Sequence, residues 1–341
     1  MALTFWTDPH LGLNRTSHTT PQSRKALREA LYKQALWMVG KPSNPSICLG
    51  DLFDTTDNEE AVIAQGAEVA SRCSLILAGN HDLGNRDGKM SSLQLIGELA
   101  KDSAIALEDA TDTYFQVQVE GVDLFCIPHK RTQEIFDATL LNIQSAIRIN
   151  PEAIILLHCN YDNSFASDET SLNLSKSQAA QLVADFDYVL IGHEHIPRSD
   201  FGGRLQILGN IHPTSFSDIS DKFIWAYEKG ELRKEKIWSA DKYLLIRWEE
   251  LLSSGISKID LEFIEITGTA PASKLPEISK AVQKLWAQFP TAYMIRNHVK
   301  SEAIVVDVPT QHKALDVPAQ ITAELQGSKL LPLWTKYLEA L

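Results

Sequence analysis

The sequence of 341 residues predicts a layered α/β body with sheets at its core, followed by a small α+β cap. Short, almost wholly apolar runs alternate with helical patterns up to about residue 195, which is typical of α/β folds. From Arg204 to Trp238 the pattern becomes strand-rich and adds to the sheets. A compact strand and helix pattern beyond residue 257 predicts a second domain, since single cores stop growing near ~250–300 residues.

The elements of the first half follow from local signals. Leu3 to Thr7 is predicted as a strand. Thr20-Pro21 is typical of an N-cap followed by proline at the first helical position, and apolar residues recur at helical spacing from Ala26 to Met38. The next predicted elements are a strand from Ser46 to Leu49, a helix capped by Asp57 and running to about Arg72, and a strand from Ser74 to Ala78.

The second half of the body adds a hairpin and two central strands. Tyr114–Val119 and Val122–Ile127 flank Glu120-Gly121, a pattern that predicts a hairpin turn. Ala153 to Leu157 and Tyr188 to Ile191 are almost wholly apolar, as buried central strands should be. Between the hairpin and the first of these strands, a helix is predicted from Thr132 to Ile149.

A change of pattern near residues 240–257 predicts a domain boundary, with Ser253-Ser254-Gly255 as a hinge. We expect a body over residues 1–240 and a cap over residues 256–341. The predicted cap consists of a strand Lys258–Ile266, a helix Lys274–Gln288, strands Thr291–Arg296 and Ala303–Val308, and one or two final helices.

The composition restricts the class of protein. A formal net charge of -12 argues against a protein that coats nucleic acid non-specifically, but it does not exclude a nuclease, because bound divalent cations supply local positive charge. No apolar run approaches the ~18 residues of a membrane span, and the N-terminus lacks the pattern of a signal peptide. The four cysteines form no C-x-x-C pair, which predicts free buried thiols. We therefore expect a cytoplasmic protein without a membrane contact.

Polar clusters stand directly after the strand-like runs, and in layered α/β folds ligands collect at the carboxyl ends of strands. Carboxylate, amide oxygen and imidazole suit Mn, Fe or Zn, and two such ions ~3.5–4 Å apart can clamp a phosphate for in-line attack. Asp51 is well placed to bridge two ions, and the glycines before Asp51, Asn80 and His193 would permit tight turns. The sequence therefore predicts a two-metal site, with ligands Asp8, His10, Asp51, Asn80, His158, His193 and His195.

The order D-x-H, GD-x-x-D, GNH-D, H and GH-x-H resembles the calcineurin-like metallophosphoesterase superfamily. Further details are similar to its SbcD-type branch, the nuclease subunit of DNA double-strand-break repair complexes. These details are Asp8-Pro9-His10-Leu11-Gly12, the GDLFD stretch from Gly50 to Asp54, Gly209-Asn210, and Pro213-Thr214-Ser215-Phe216-Ser217. The motifs cover residues 8 to about 228. The resemblance implies a four-layer α/β/β/α metallophosphoesterase sandwich with a small C-terminal α+β cap. It also implies that residues 1–240 are the nuclease domain and that residues 256–341 are a capping and DNA-binding domain.

The resemblance also implies roles at the matching positions. One metal would be held by Asp8, His10, Asp51 and His195, and the other by Asp51, Asn80, His158 and His193. His81 would lie beside the phosphate without binding metal, where it would stabilise the transition state or donate a proton to the leaving 3′ oxygen. Asp54 and Asp82 would orient histidines. The implied activity is exonuclease and endonuclease cleavage of DNA, with Mn the first choice of metal and Mg, Fe or Zn as alternatives.

Partners and rival functions remain open at the level of the sequence. The resemblance implies a homodimer and an SbcC-type, SMC-like ATPase partner, for which only Pro318–Leu341 could serve as a docking segment here. Arg15 and His18 follow the first motif, where they would contact DNA phosphates or belong to a solvated loop. His129-Lys130-Arg131 is expected in a solvated loop. One rival function is a phosphatase or a small-molecule or cyclic nucleotide phosphodiesterase, and another is a non-catalytic binding module.

Overall fold

The computed structural model describes residues 2–40, 44–83, 89–99, 105–146, 152–163, 172–302 and 321–338, the last range without 323, 327 and 329. The chain forms two compact units, Met1–Lys300 and Ser301–Leu341. The predicted boundary between residues 240 and 256 stays a prediction.

The secondary structure of the described residues begins with a strand and alternates strands with helices. The strands are β1 (Leu3–Trp6), β2 (Ser46–Cys48), β3 (Leu75–Leu77), β4 (Ile105–Ala106), β5 (Phe115–Val119), β6 (Val122–Ile127), β7 (Ile154–His158), β8 (Asn160–Tyr161), β9 (Asn173–Leu174), β10 (Tyr188–Gly192), β11 (Arg198–Asp200), β12 (Leu205–Ile207), β13 (Lys222–Glu228), β14 (Glu231–Trp238), β15 (Tyr243–Arg247), β16 (Phe263–Ala270) and β17 (Met294–Ser301). The helices are α1 (Pro21–Val39), α2 (Glu60–Ala70), α3 (Ser92–Leu99), α4 (Gln133–Ala146), α5 (Lys176–Asp185), α6 (Trp248–Ser254), α7 (Leu275–Gln288) and α8 (Leu331–Leu338).

Two six-stranded sheets form the centre of the first unit, in the orders β14-β13-β1-β2-β3-β4 and β11-β12-β10-β7-β6-β5. Strand β7 shows how they pack, because its side chains alternate between two buried clusters. Ile154 and Leu156 join a cluster shared by strands of both sheets. Ile155 and Leu157 join a second cluster with α4 and α5. Helices α1, α2 and α3 cover the outer face of the first sheet in the same way. The layers are therefore α/β/β/α, and the predicted fold class is confirmed.

Helix α1 begins where the sequence predicts. The side chain of Thr20 accepts from the main-chain N of Ser23 at 3.1 Å, and the Ser23 hydroxyl accepts from the main-chain N of Thr20 at 2.9 Å. Pro21 occupies the first turn, where its missing N–H costs nothing.

The predicted start of α2 is wrong. Its N-cap is Glu59, without a side-chain cap, because the main-chain O of Asp57 is engaged in a turn by the Thr55 hydroxyl at 2.8 Å.

Strands β15, β16 and β17 form a three-stranded sheet against α6 and α7. The predicted strand from Lys258 begins only at Phe263, because the exposed Asp260 has a φ of 61° that an extended strand cannot contain. Ser253 and Ser254 end α6, and the N–H of Gly255 closes it on the carbonyl of Leu251. The predicted strand Ala303–Val308 lies outside the described residues.

Glu262, directly before β16, connects the three-stranded sheet to β14 and to His212. Its carboxylate accepts from Trp238 Nε1 and from Lys242 Nζ, each at 2.6 Å, and lies 3.4 Å from Nε2 of the buried His212. Burial works to raise the pKa of Glu262, but these three partners outweigh it and hold the pKa at about 2. His212 therefore packs at this junction.

None of the described helices is long and apolar enough to span a membrane. The cysteines are free thiols, and three of them, Cys48, Cys126 and Cys159, are buried as expected.

Candidate metal centre

The two sheets bring the predicted ligands to one edge of the sandwich. Strands β1, β2 and β3 run parallel, and their carboxyl ends lead into Asp8, Asp51 and Asn80. In the second sheet β7 and β10 also run parallel. His158 is the last residue of β7, and His193 follows β10 directly. The ligand positions therefore come from the ends of neighbouring strands in both sheets.

One group of donors consists of Asp8, His10 and His195, whose ligand atoms lie within 4.8 Å of one another. The Nε2 atoms of His10 and His195 are 3.0 Å apart. Asp8 Oδ1 lies 3.9 and 4.0 Å from these two nitrogens and is buried without a hydrogen-bond partner. A buried carboxylate oxygen without a partner is costly, and a cation between it and two imidazole nitrogens would remove that cost.

A second group contains Asp51, His158 and His193, again within 4.8 Å. Asn80 Oδ1 lies 3.2 Å from His158 Nε2 and 2.9 Å from His193 Nδ1. Asp51 Oδ1 is 3.5 Å from His158 Nε2, while its Oδ2 is 3.9 Å from His10 Nε2. Asp51 thus lies between the two groups, with one oxygen towards each, as a bridging carboxylate requires.

The donor chemistry fits divalent cations. Each group combines carboxylate oxygen with imidazole nitrogen, and the second adds an amide oxygen, a set that suits Mn, Fe or Zn. Burial works to lower the pKa of His158, but Asp51 outweighs it and raises the pKa to about 9. Burial and the neighbouring His158 lower the pKa of His193 to about 4. At neutral pH, metal binding would therefore displace a proton from His158. His193 is already neutral at that pH and would bind a metal without losing a proton.

Polar groups face the far side of the ring in two of the predicted ligands, His158 and His10. His158 Nδ1 donates to the carbonyl of Leu49 at 2.7 Å, so Nε2 faces the site and is the atom that would lose its proton to a metal. His10 Nδ1 lies 3.4 Å from Asp54 Oδ1. Asp54 therefore faces the far side of the His10 ring, and its orienting role stays a prediction.

Asp82 has a different role from the predicted one. Its buried carboxylate accepts from the main-chain N of Leu52, Phe53 and Gly79, each at 3.0 Å. Burial, and then the charge of Asp51, raise the pKa of Asp82 to about 7 against these three bonds. Asp82 joins the loop after β2 to the loop after β3, and the prediction that it orients a histidine is wrong.

Asp218 orients His195 and is not among the residues predicted from the sequence. Its Oδ2 lies 3.2 Å from His195 Nδ1 and accepts from Asn210 Nδ2 at 2.8 Å and from the main-chain N and hydroxyl of Thr214 at 2.9 Å. Its Oδ1 accepts from Ser215 N at 2.8 Å. The signal in the sequence is the spacing of Ser215 and Asp218, which is that of a capping box.

His81 stands at the rim of the site. Its Nδ1 lies 2.6 Å from the carbonyl of Asp54, so Nδ1 donates and Nε2 stays free. The main-chain N of His81 donates to Asp51 Oδ1 at 2.9 Å. Its ring is partly exposed and meets the His10 ring edge-on at 5.1 Å. An imidazole in this position can contact a ligand of the centre from the solvent side.

The main chain at the site is strained. Asp8, His10, Asp51 and His193 have φ values of 54°, 47°, 50° and 86°, in the left-handed region that costs non-glycine residues ~1–3 kcal/mol each. A Cβ at Gly79 would lie 2.1 Å from Asp51 Oδ1. Gly79 is therefore required for the close approach of two loops, whereas the sequence predicts a tight turn there.

The basic residues near the first motif differ in their surroundings. Arg15 and His18 are exposed, and the His18 ring lies 6.3 Å from that of Phe216. An open cleft of about 580 Å³ is lined by Asn14 and by the basic side chains Arg24, Lys25 and Arg28, with Glu29 and Glu59 also present.

The expectation of a solvated loop at His129-Lys130-Arg131 is wrong for its first two residues. Lys130 is buried because its Nζ donates to the carbonyls of Glu108 and Thr113, each at 2.7 Å. His129 is buried with its ring 6.1 Å from that of His158, and burial lowers the pKa of His129 to about 3.

Comparisons with known proteins bear on this centre. The family described as calcineurin-like phosphoesterase matches residues 1–197, a range that contains every predicted ligand. Three solved structures are similar at low identity. TT1561 of Thermus thermophilus is 11% identical, with 69% of this chain and 98% of that chain covered and a TM-score of 0.39. A 5'-nucleotidase precursor from Thermus thermophilus is 12% identical, with coverage of 70% and 54% and a TM-score of 0.35. The NAD nucleotidase of Haemophilus influenzae is 10% identical, with coverage of 84% and 60% and a TM-score of 0.32.

Proposed function

Since the chain belongs to the calcineurin-like phosphoesterase family, we propose that it is a metal-dependent DNA nuclease that hydrolyses phosphodiester bonds, with Mn as its metal. The observation that carries phosphoester hydrolysis is the convergence of two donor groups, with one carboxylate oxygen of Asp51 facing each. Residues Asp8, His10, Asp51 and His195 would hold one ion, and Asp51, Asn80, His158 and His193 the other. When bound, the two ions supply positive charge to the phosphate and lower the pKa of water.

His81 is the proposed catalytic residue. The hydrogen bond from its Nδ1 to the carbonyl of Asp54 fixes the ring and leaves Nε2 available to a bound phosphate. In that position a protonated ring donates to the developing charge or to the leaving oxygen. His81 also has a ligand atom within 4.8 Å of those of His10 and Asp51, so its ring lies directly beside the donors of the first ion.

DNA is favoured over a small substrate by the charge of the first forty residues. They contain Arg15, Arg24, Lys25, Arg28 and Lys33 against Asp8 and Glu29, although the whole chain has a net charge of -12. Three of these cations line the cleft beside Asn14, which follows the first metal motif. A basic cleft of this kind would contact phosphates of a polymer beyond the one that is cleaved, whereas a single small phosphoester has no such further phosphates.

The alternative is a phosphatase or a small-molecule or cyclic nucleotide phosphodiesterase with the same centre. The acidic net charge outside the first forty residues favours it, because a polyanion is repelled by such a surface.

An assay on two substrate classes tests the proposal. End-labelled duplex and single-stranded DNA and bis-p-nitrophenyl phosphate are incubated with the protein in Mn²⁺ or Mg²⁺. We expect cleavage of both classes with Mn²⁺. A double variant, Arg24→Gln with Lys25→Gln, should weaken DNA cleavage and its salt dependence while the small diester is hydrolysed at the parent rate. Hydrolysis of the small diester without any cutting of DNA would instead support the alternative.

We also propose a homodimer and an SbcC-type ATPase partner, supported by the resemblance of the sequence motifs alone. Light scattering at micromolar concentration tests the dimer, and a monomer there would contradict it. Co-purification with a co-expressed SMC-like ATPase tests the partner, and its absence from the purified protein would contradict that part of the proposal.

A further inference from the structure

Glu194 lies between His193 and His195 in the sequence, and its carboxylate contacts Tyr161 and Arg198. Its Oε1 accepts from the main-chain N of Tyr161 at 2.6 Å and from Arg198 Nη2 at 2.8 Å. Its Oε2 accepts from Arg198 Nε at 3.0 Å. Arg198 Nη2 also donates to the carbonyl of Tyr161. The pair therefore engages both main-chain polar groups of Tyr161.

Tyr161 belongs to β8, which comes directly after His158 and Cys159. One edge of β8 is paired with β9, since the N–H groups of Asn160 and Asp162 donate to the carbonyls of Leu172 and Leu174 at 2.8 and 2.9 Å. The N–H and carbonyl of Tyr161 point to the opposite edge. There the side chains of Glu194 and Arg198 make the hydrogen bonds that a neighbouring strand would otherwise make.

This arrangement ties together the two segments that carry the second donor group. His158 precedes Tyr161 by three positions, and Glu194 is the direct neighbour of His193. The guanidinium of Arg198 also lies over the Tyr161 ring, 5.0 Å from its centroid. A shift of either segment would break several short polar contacts, so the pair restricts how far His193 can move from His158.

We propose that Glu194 and Arg198 are positioning residues that set the separation of His193 and His158, and through it the affinity of the second donor group for Mn²⁺. The proposal rests on the metal-binding part of the proposed function and is independent of whether the substrate is DNA. Arg198 is partly exposed, and such an ion pair contributes little to global stability. Loss of the pair should therefore change metal affinity more than folding.

Calorimetric titration of the metal-free full chain with Mn²⁺ tests the proposal. In Arg198→Gln we expect one of the two binding steps to weaken about 10–100-fold, the usual effect of losing an outer partner of a metal ligand. The other step should keep its parent affinity. With bis-p-nitrophenyl phosphate, the Mn²⁺ concentration for half-maximal rate should rise in proportion, while the rate at saturating Mn²⁺ stays near that of the parent.

Two further variants separate positioning from a general loss of structure. Tyr161→Phe removes the bond from the Tyr161 hydroxyl to Asp200, which is 2.6 Å long, and leaves the main-chain contacts of Arg198 in place. This matched control should bind Mn²⁺ like the parent. Arg198→Lys keeps the charge and one donor and should restore part of the affinity. Unchanged Mn²⁺ binding in a folded Arg198→Gln, or equal weakening in Tyr161→Phe, would overturn the proposal. If Arg198→Gln does not fold, parent-like Mn²⁺ binding in Arg198→Lys would overturn it as well.

Discussion

Replacing Asp218 by Asn tests the account of how His195 is held. The carboxylate of Asp218 is buried and accepts at both oxygens from main-chain and side-chain donors. The amide is nearly the same size, but it has one acceptor oxygen and no charge. The substitution therefore changes hydrogen bonding and electrostatics and leaves the packing volume almost unaltered.

The expected loss of stability follows from the donors around the site. If the amide oxygen takes the place of Oδ2, the partners Asn210, Thr214 and His195 keep an acceptor, and the amide nitrogen then faces the main-chain N of Ser215. One donor left without a partner costs about 1–3 kcal/mol. The loss of charge assistance in the remaining bonds adds about 1 kcal/mol. We expect a total of about 2–4 kcal/mol, with about 10–100-fold weaker Mn²⁺ binding at the group that contains His195.

Urea unfolding at neutral pH, with and without Mn²⁺, measures the first effect, and calorimetric titration with Mn²⁺ measures the second. Asp241→Asn is a matched control, because Asp241 is exposed and its carboxylate accepts from the Ser239 hydroxyl on the surface. Its stability should change by less than about 0.5 kcal/mol. An Asp218→Asn variant with the parent's urea midpoint and Mn²⁺ affinity would refute the reasoning.

Three more predictions concern catalysis, pH dependence and the approach of the two loops. His81→Gln should lower cleavage by about 10²–10⁴-fold while metal analysis still finds two ions, and cutting at the parent rate would show that the assigned role is wrong. The folded-state pKa of Glu262 is about 2, below its usual 4.5, so its stabilisation is present above about pH 4.5 and is lost as pH falls towards 2. The shift corresponds to about 3 kcal/mol, reduced to about 1–2 kcal/mol because the carboxylate is partly exposed. Urea midpoints of Glu262→Gln and the parent should therefore differ at pH 7 and converge near pH 2, and a constant difference would contradict this. Gly79→Ala should bind less than one equivalent of Mn²⁺, since its Cβ would displace Asp51 Oδ1, whereas Gly97→Ala, with its nearest contact at 3.1 Å, should bind like the parent.

The fold class could be predicted from the sequence because each central strand is an apolar run followed at once by polar residues. β7 is a clear example, since every residue of it is buried. The predicted ligands share this local signature, and the structure brings them into two donor groups. Residue type and position after a strand are properties of short segments, so one sequence is sufficient to recognise them.

Other features depend on contacts between distant segments, which a local pattern does not contain. Lys130 is buried because two carbonyls more than ten positions away accept its ammonium protons. Asp82 is held by loops after two different strands, and nothing beside it in the sequence predicts those partners. The left-handed φ values at Asp8 and Asp51 are similarly imposed by the surrounding loops, since local preference opposes them.

The distribution of the ligands over the two sheets has a consequence for stability. Asp8, Asp51 and Asn80 follow strands of one sheet, while His158 and His193 belong to the other. Ions held between them would cross-link the two halves of the sandwich at one edge, much as a disulfide joins two segments. Ligand binding at 100 times its dissociation constant adds about 2.7 kcal/mol to the folded state. Chelation would then loosen the contact between the sheets at that edge, so hydrogen exchange there would report metal occupancy without any substrate.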